Sequence, residues 1–280
     1  FQPQSRTVTG SSNAAAALGL AVYLAAERGE QVLIFVPTRA MSRNWAQKAA
    51  AMTALEPAEG ALEELGKYEE TRERGLLASC FQKGTAFHNS DLTWGMRKLI
   101  EEQYNSGGIR LLVSTSTLGE GVNLTGRNVI HVPEMVAQDE WTGRLNFVPL
   151  SHARFRNQGG RAGRFGRVSD FGRSILVAAG REQAERLMRE YIHGELEPLN
   201  PPMREEDLGP AILDLVASRV CRGEEGARAF LLQTYTGLVQ WSGEPKSFEA
   251  ACAREIERLA QRHFLAREEG GLFATGIGAI

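Results

Sequence analysis

The chain has few cysteines, no surplus of charge and no long apolar run, and each shortage closes off a class of protein. Cys80, Cys221 and Cys252 lie far apart and form no Cys-x-x-Cys pair, so neither a disulfide framework nor a zinc knuckle can be built from them. They read as reduced, buried small hydrophobes in a cytoplasmic setting. The 32 Lys and Arg are matched by 34 Asp and Glu, a net charge of −2, which excludes a polybasic protein that grips nucleic acid with its whole surface. The most apolar stretch, Ala14 to Ala26, is alanine-rich and ends at Glu27-Arg28-Gly29. A membrane-spanning helix needs about 20 strongly apolar residues, so no membrane partner is expected. No basic n-region precedes the stretch, so it is not a signal peptide either. The five histidines show no metal-ligand spacing, and no metal site is expected. The chain opens on Phe1 rather than Met, which reads as a piece of a longer protein.

What remains is an ordinary globular composition, 280 residues with 42% hydrophobic and 24% charged, enough for two domains. Ser11-Ser12-Asn13 offers N-caps for a helix over 14–28, stopped by Gly29. Gln31 to Val36 is a short, almost wholly apolar run closed by Pro37, the pattern of a strand buried inside a parallel sheet. A helix over 40–55, an acidic helical surface over 58–74 and a helix over 92–104 follow. Residues 109–113, 128–132 and 174–178 read as further buried strands. Alternating strands and helices predict an α/β fold with a parallel sheet. Composition shifts at Glu197-Pro198-Leu199-Asn200-Pro201-Pro202, a linker signal. Helical patterns over 208–221, 224–238 and 247–264, then a glycine turn at 268–271 between apolar runs, predict a mainly helical winged-helix domain. The division is 1–196 and 197–280.

The chemistry concentrates in two segments. Gln158-Gly159-Gly160-Arg161-Ala162-Gly163-Arg164-Phe165-Gly166 sets two arginines three apart among glycines, which let the backbone approach a ligand closely. Guanidinium groups grip phosphate oxygens in a bidentate fork. From Trp141 to Glu190 the chain has 10 Arg, no Lys and 4 acidic residues, a local +6. The second segment, Ser114-Thr115-Ser116-Thr117-Leu118-Gly119-Glu120-Gly121-Val122-Asn123-Leu124, places hydroxyls and glycines just after a predicted parallel strand, where α/β sheets bind ligands.

Read in order with Pro37-Thr38-Arg39 and Phe87-His88-Asn89-Ser90-Asp91-Leu92, these segments resemble motifs IV, IVa, V and VI of superfamily 2 helicases. The resemblance is closest to the superkiller-like DExH branch and runs the length of the chain, since Tyr191-Ile192-His193-Gly194-Glu195 and the winged-helix region fit it too. Four positions depart from the branch. Gly119 stands where Ala is usual, Thr125-Gly126 where Pro-Ala is usual, and Asn89 where a second His or similar polar residue stands.

The resemblance implies a RecA-like second motor lobe followed by a winged helix. It implies ATP with Mg as the nucleotide, single-stranded or partly duplex nucleic acid as the partner, and arginine fingers at Arg161 and Arg164. Gln158 would contact the phosphate or the attacking water. Glu120 and Gly121 would lie beside the nucleotide sugar, with Asn123 linking that site to the nucleic-acid groove. Thr38, Arg39, His88 and Thr115 would hold strand phosphates. No Gly-x-x-x-x-Gly-Lys-Ser/Thr occurs in the chain, and Asp139-Glu140-Trp141-Thr142 is a decoy for DExH. The phosphate loop, the carboxylates and most of the metal coordination are thus expected from a first lobe, in the same or another chain. This chain alone should be inactive. The alternative is a non-catalytic nucleic-acid-binding or protein-interaction module that kept the fold. The winged-helix region counts 12 acidic against 9 basic residues over 200–280, which reads as a brace for the lobe rather than a DNA reader.

Overall fold

The computed structural model describes residues 4, 10, 12–53, 55–115, 124–139, 143–163, 171–196, 199–201, 203–268 and 271–278. Two compact units are present, Phe1–Glu197 and Pro198–Ile280.

The first unit is built on the apolar run Val32–Val36 (β1), in which all five residues are buried. It lies between β3 (Leu111–Thr115) and β4 (Asn128–His131), with Ile34 beside both Val113 and Ile130. β2 (Thr85–His88) extends the sheet past β3, and β7 (Arg173–Leu176) past β4. The order is β2-β3-β1-β4-β7, every pair parallel. A sheet of this kind is covered by helices, which is why its strands carry few polar residues.

The helices start where the sequence supplies caps. Ser12 Oγ accepts the Ala15 N–H at the start of α1 (Asn13–Ala26), and Thr38 Oγ1 the Met41 N–H at the start of α2 (Arg39–Met52). The acidic stretch expected as one helical surface is two helices, α3 (Glu59–Leu65) and α4 (Arg72–Phe81). Gly66 closes the first and the Thr71 hydroxyl caps the second. α5 (Trp94–Ser106) ends on Gly107, whose φ of +88° suits glycine.

Between β4 and the last strand of the sheet lies an antiparallel hairpin of β5 (Glu134–Gln138) and β6 (Leu145–Pro149), followed by α6 (His152–Gly159). α7 (Arg181–Leu187) continues into a π turn at Met188–Ile192. Where the strands begin, buried Glu30 accepts from Arg173 at 2.7 Å and from Asn128 Nδ2 at 2.9 Å, with Arg127 at 3.6 Å. The carboxylate thereby joins β4 and β7.

The second unit has its own core. α8 (Leu208–Ala217), α9 (Glu224–Gln233) and α10 (Pro245–Gln261) enclose Leu208, Ile212, Phe248, Cys252 and Ile256. An antiparallel hairpin of β8 (Leu265–Glu268) and β9 (Gly271–Ala274) closes it. All three cysteines are free and buried. No helix among the described residues is long and apolar enough to cross a membrane.

Candidate functional site

β1 and β2 point the same way, so the segments that follow them leave the sheet at one edge. Past β1, Thr38 caps α2 and Arg39 opens it with an exposed side chain. Past β2, Asn89 is fully buried and ties its loop down. Its Nδ2 donates to Ser42 Oγ at 2.9 Å, and its Oδ1 accepts the Asp91 N–H at 2.9 Å. Asp91 then binds Arg39 with one carboxylate oxygen and Arg43 with the other. Partial desolvation of Asp91 works against its charge, but the hydrogen bonds from Arg43 and Arg39 outweigh it and hold the carboxyl below its ordinary value. The result is two guanidinium groups oriented around one oxyanion, with Arg39 open to solvent.

His88 is placed differently from the expectation. Its ring is buried, and Nε2 lies 3.0 Å from Glu101 Oε1 on α5. Burial first, and Arg97 second, push the imidazole down to about 3, so it is neutral and Nε2 donates to the carboxylate. A shut-in neutral ring offers a strand phosphate no charge. His88 is a brace between β2 and α5 in this arrangement. Cys80, nearby in sequence, has its thiol pushed up to about 11 by burial and is unreactive.

Thr115 ends β3 and is buried, while the neighbouring Ser114 hydroxyl reaches the His88 carbonyl at 3.2 Å. Glu120, Gly121, Asn123 and Arg164 lie outside the described residues.

The Gln158–Gly163 segment is fixed from two sides. α6 starts at the Ser151 cap and turns Phe155 and Gln158 inward. There Gln158 Oε1 meets His131 Nδ1 at 3.0 Å, and His131 Nε2 meets Ser174 Oγ at 2.8 Å. Burial depresses His131 to about 4 although the Gln158 bond opposes it. The ring is therefore neutral. With the amide oxygen at Nδ1, that nitrogen carries the proton and Nε2 accepts from the serine.

Beyond α6, Arg161 is buried and its Nη1 donates to the Leu124 carbonyl at 3.4 Å. The backbone continues the contact. Gly126 N–H donates to Arg161 O at 3.2 Å, and Gly163 N–H to Gly126 O at 3.0 Å. Gly163 has φ +63°, and a Cβ there would lie 2.3 Å from the Gly172 nitrogen, so glycine is required. Gly126, one of the departures, also has a cause: a Cβ would lie 2.4 Å from the Tyr104 hydroxyl.

The structure thus brings Arg161 beside the segment leading into β4, and Gln158 against His131. Gln158 also lines a small cavity with Val36 and Pro37, just before Thr38, at the end of β1 where Phe35 pairs with His131. Among the described residues no three His, Cys, Asp or Glu side chains gather as metal ligands. The sequence alone assigns no role to His131, Asp91 or Arg43. Their partners are 27, 52 and 48 residues away along the chain, which leaves no local signal.

Residues 15–166 match the helicase conserved C-terminal domain. Among curated proteins, the chain is 30% identical over 259 residues to the ATP-dependent DNA helicase Hel308 of Pyrobaculum calidifontis, covering 89% of this chain and 36% of that protein. The protein of the same name from Methanocella arvoryzae is 28% identical over 267 residues, 91% of this chain and 34% of the relative. That of Caldivirga maquilingensis is 28% identical over 268 residues, with 90% and 34% covered. The chain spans about a third of the length of these relatives.

Proposed function

Because the chain belongs to the helicase conserved C-terminal domain family, we propose that it is the second RecA-like lobe of an ATP-driven nucleic-acid motor. A first lobe supplies the phosphate loop and the DExH carboxylates. The observation that carries this reading is the docking of Arg161 and its glycines on the Leu124–Gly126 segment, which joins the two phosphate-directed motifs in one place. The three relatives are named ATP-dependent DNA helicases, so ATP is the nucleotide and DNA the first strand to test.

Phosphoryl transfer spreads charge over the equatorial oxygens of the γ-phosphoryl group. A guanidinium aimed there is worth about 10³–10⁵ in rate, or roughly 4–7 kcal/mol of barrier. Arg161 and Arg164 take this role, and Gln158, held by His131, orients the phosphate or the attacking water. The family resemblance assigns Glu120 and Gly121 to the nucleotide sugar and Asn123 to the link with the strand. Mg²⁺, when bound with ATP, neutralises phosphate charge. The described residues supply no carboxylate cluster for it, and its protein ligands would come from the first lobe. Thr38, Arg39 and Thr115 hold strand phosphates at the sheet edge. Contacts of that kind carry no sequence information, which suits a translocase. The second unit takes the part of a winged helix, and its net −3 sets it apart from a basic DNA-reading module.

The test is steady-state kinetics on the two-lobed protein. Arg164→Ala should abolish hydrolysis while nucleotide affinity stays near wild type, because the finger acts on charge developed in the transition state. Lysine at this position should rescue poorly, since a point charge cannot form the fork. Thr115→Ala should weaken strand binding more than basal hydrolysis. Near-wild-type turnover of Arg164→Ala with loss of strand affinity would move the motif to the other ligand.

A further inference from the structure

Trp94 is the most exposed aromatic side chain among the described residues, 70% open to solvent, whereas Trp45 and Trp241 are each 7%. Such a ring is among the largest apolar groups a core can use, so packing does not account for its position. The position itself is firmly built. Trp94 is the first residue of α5, whose start is fixed by Thr93 Oγ1 accepting the Met96 N–H at 3.3 Å. Three residues earlier, Asp91 binds Arg39 and Arg43 of α2. One turn later, Lys98 holds its Nζ 5.3 Å from the indole centroid and 3.8 Å from Glu102. Since β1 and β2 both run parallel to β3 between them, the segment leading into Trp94 leaves the sheet at the edge of Thr38, Arg39 and Thr115.

We propose that Trp94 is a base-stacking platform for single-stranded nucleic acid, set beside the Arg39–Arg43 pair that receives the strand's phosphates. This rests on the reading above that this edge holds the strand. The chemistry fits both halves of a nucleotide. An indole face accepts any base, so it adds affinity without sequence preference. Three cations, Arg39, Arg43 and Lys98, stand against the carboxylates Asp91 and Glu102. Asp91 already occupies the pair as a small oxyanion, which shows that the two guanidinium groups can converge on one. Arg39 keeps 60% of its side chain exposed for a second.

The experiment is a titration of this chain with a labelled oligothymidylate and, in parallel, an oligouridylate across a range of salt, reading oligonucleotide anisotropy and intrinsic tryptophan emission. The wild type should bind with a clear salt slope and quench the exposed tryptophan. Trp94→Ala should unfold at the wild-type temperature, lose the quench and bind about 5- to 100-fold more weakly. Its log–log salt slope should be unchanged, because no phosphate contact is lost. Trp94→Phe should keep most of the affinity. Arg39→Ala should instead lower the slope by about 0.7, the share of one phosphate on a single strand. Wild-type affinity in Trp94→Ala, with Arg39→Ala still weakened, would overturn stacking and leave the strand reading standing. A slope change in Trp94→Ala as large as that in Arg39→Ala would also overturn it. If the wild type shows no salt-dependent binding to either oligonucleotide, the strand reading itself falls and this inference with it.

Discussion

His131 Nδ1 lies 3.0 Å from Gln158 Oε1, in the interior of the first unit and 27 residues away along the chain. The bond fixes which end of the amide faces the protein, and leaves the NH₂ end as the donor available to a ligand. Both residues are buried, so the pair is preorganised before anything binds.

The two buried histidines, His131 and His88, should make the fold acid-sensitive. His131 sits at about 4 and His88 at about 3, against an ordinary 6.5. Both are depressed by burial, so the unfolded chain takes up protons first. Stability is full above pH 6.5 and falls as pH drops through 4, by about 1.4 kcal/mol per pH unit for each histidine. Denaturant melts between pH 7 and pH 4.5 should show this. His131→Asn keeps a donor toward Gln158 but cannot titrate, and should remove about half of the slope. An unchanged slope in that variant would mean that His131 is not the group responsible.

Gly126 and Tyr104 should behave as a coupled pair. Gly126→Ala brings a methyl to 2.4 Å from the Tyr104 hydroxyl and should cost about 1–3 kcal/mol, as overpacking does. That hydroxyl is buried and has no hydrogen-bond partner among the described residues, so Tyr104→Phe alone should cost little. The double variant should recover most of the loss in a thermal or denaturant melt. A purely additive cycle would mean that the clash is relieved elsewhere.

The Glu30 carboxylate is the third test. Glu30→Ala leaves Arg173 and Arg127 without their shared anion and should destabilise the first unit by about 2–3 kcal/mol. Breaking a fully buried pair costs roughly 3–5 kcal/mol, and Arg173 keeps 33% of its side chain in water. Hydrogen exchange should locate the loosening in β4 and β7.

On catalysis, this chain by itself should release no phosphate from ATP, with or without single-stranded DNA, because one lobe is half of the proposed cleft. Turnover near 1 s⁻¹, within the ordinary enzyme range, would show that the chain carries a complete nucleotide site.

Elements with a strong one-dimensional pattern were legible before any coordinates. β1 announces itself because both of its faces are buried, which makes Val32 to Val36 uniformly apolar. The motif VI segment is legible because its chemistry is local, with glycines and arginines at fixed spacing. β5 and β6 gave no such signal: their residues are exposed or half-buried on both faces, so neither alternation nor an apolar run marks them. The four-residue β2 ends on a histidine, which reads as polar until Glu101 is seen beside it. The break between α3 and α4 is carried by Gly66 and Thr71 within a stretch whose charges favour helix throughout. Among the site residues, the inward turn of His88 depended on α5 and could not be read from its own motif.

The sheet order has a further consequence, for the newborn chain. β1 precedes both of its partners in the chain and is the central strand of the finished sheet, flanked by β3 and β4. Its neighbour begins at Leu111, about 75 residues after Val36. At a synthesis rate of about 5–20 residues per second, the segment Val-Leu-Ile-Phe-Val waits several seconds with both hydrogen-bonding edges open. Five β-prone apolar residues without charge or proline are the composition that pairs with copies of itself. The alanine-rich α1 and the capped α2 on either side can form from local contacts alone, and give that strand early shelter.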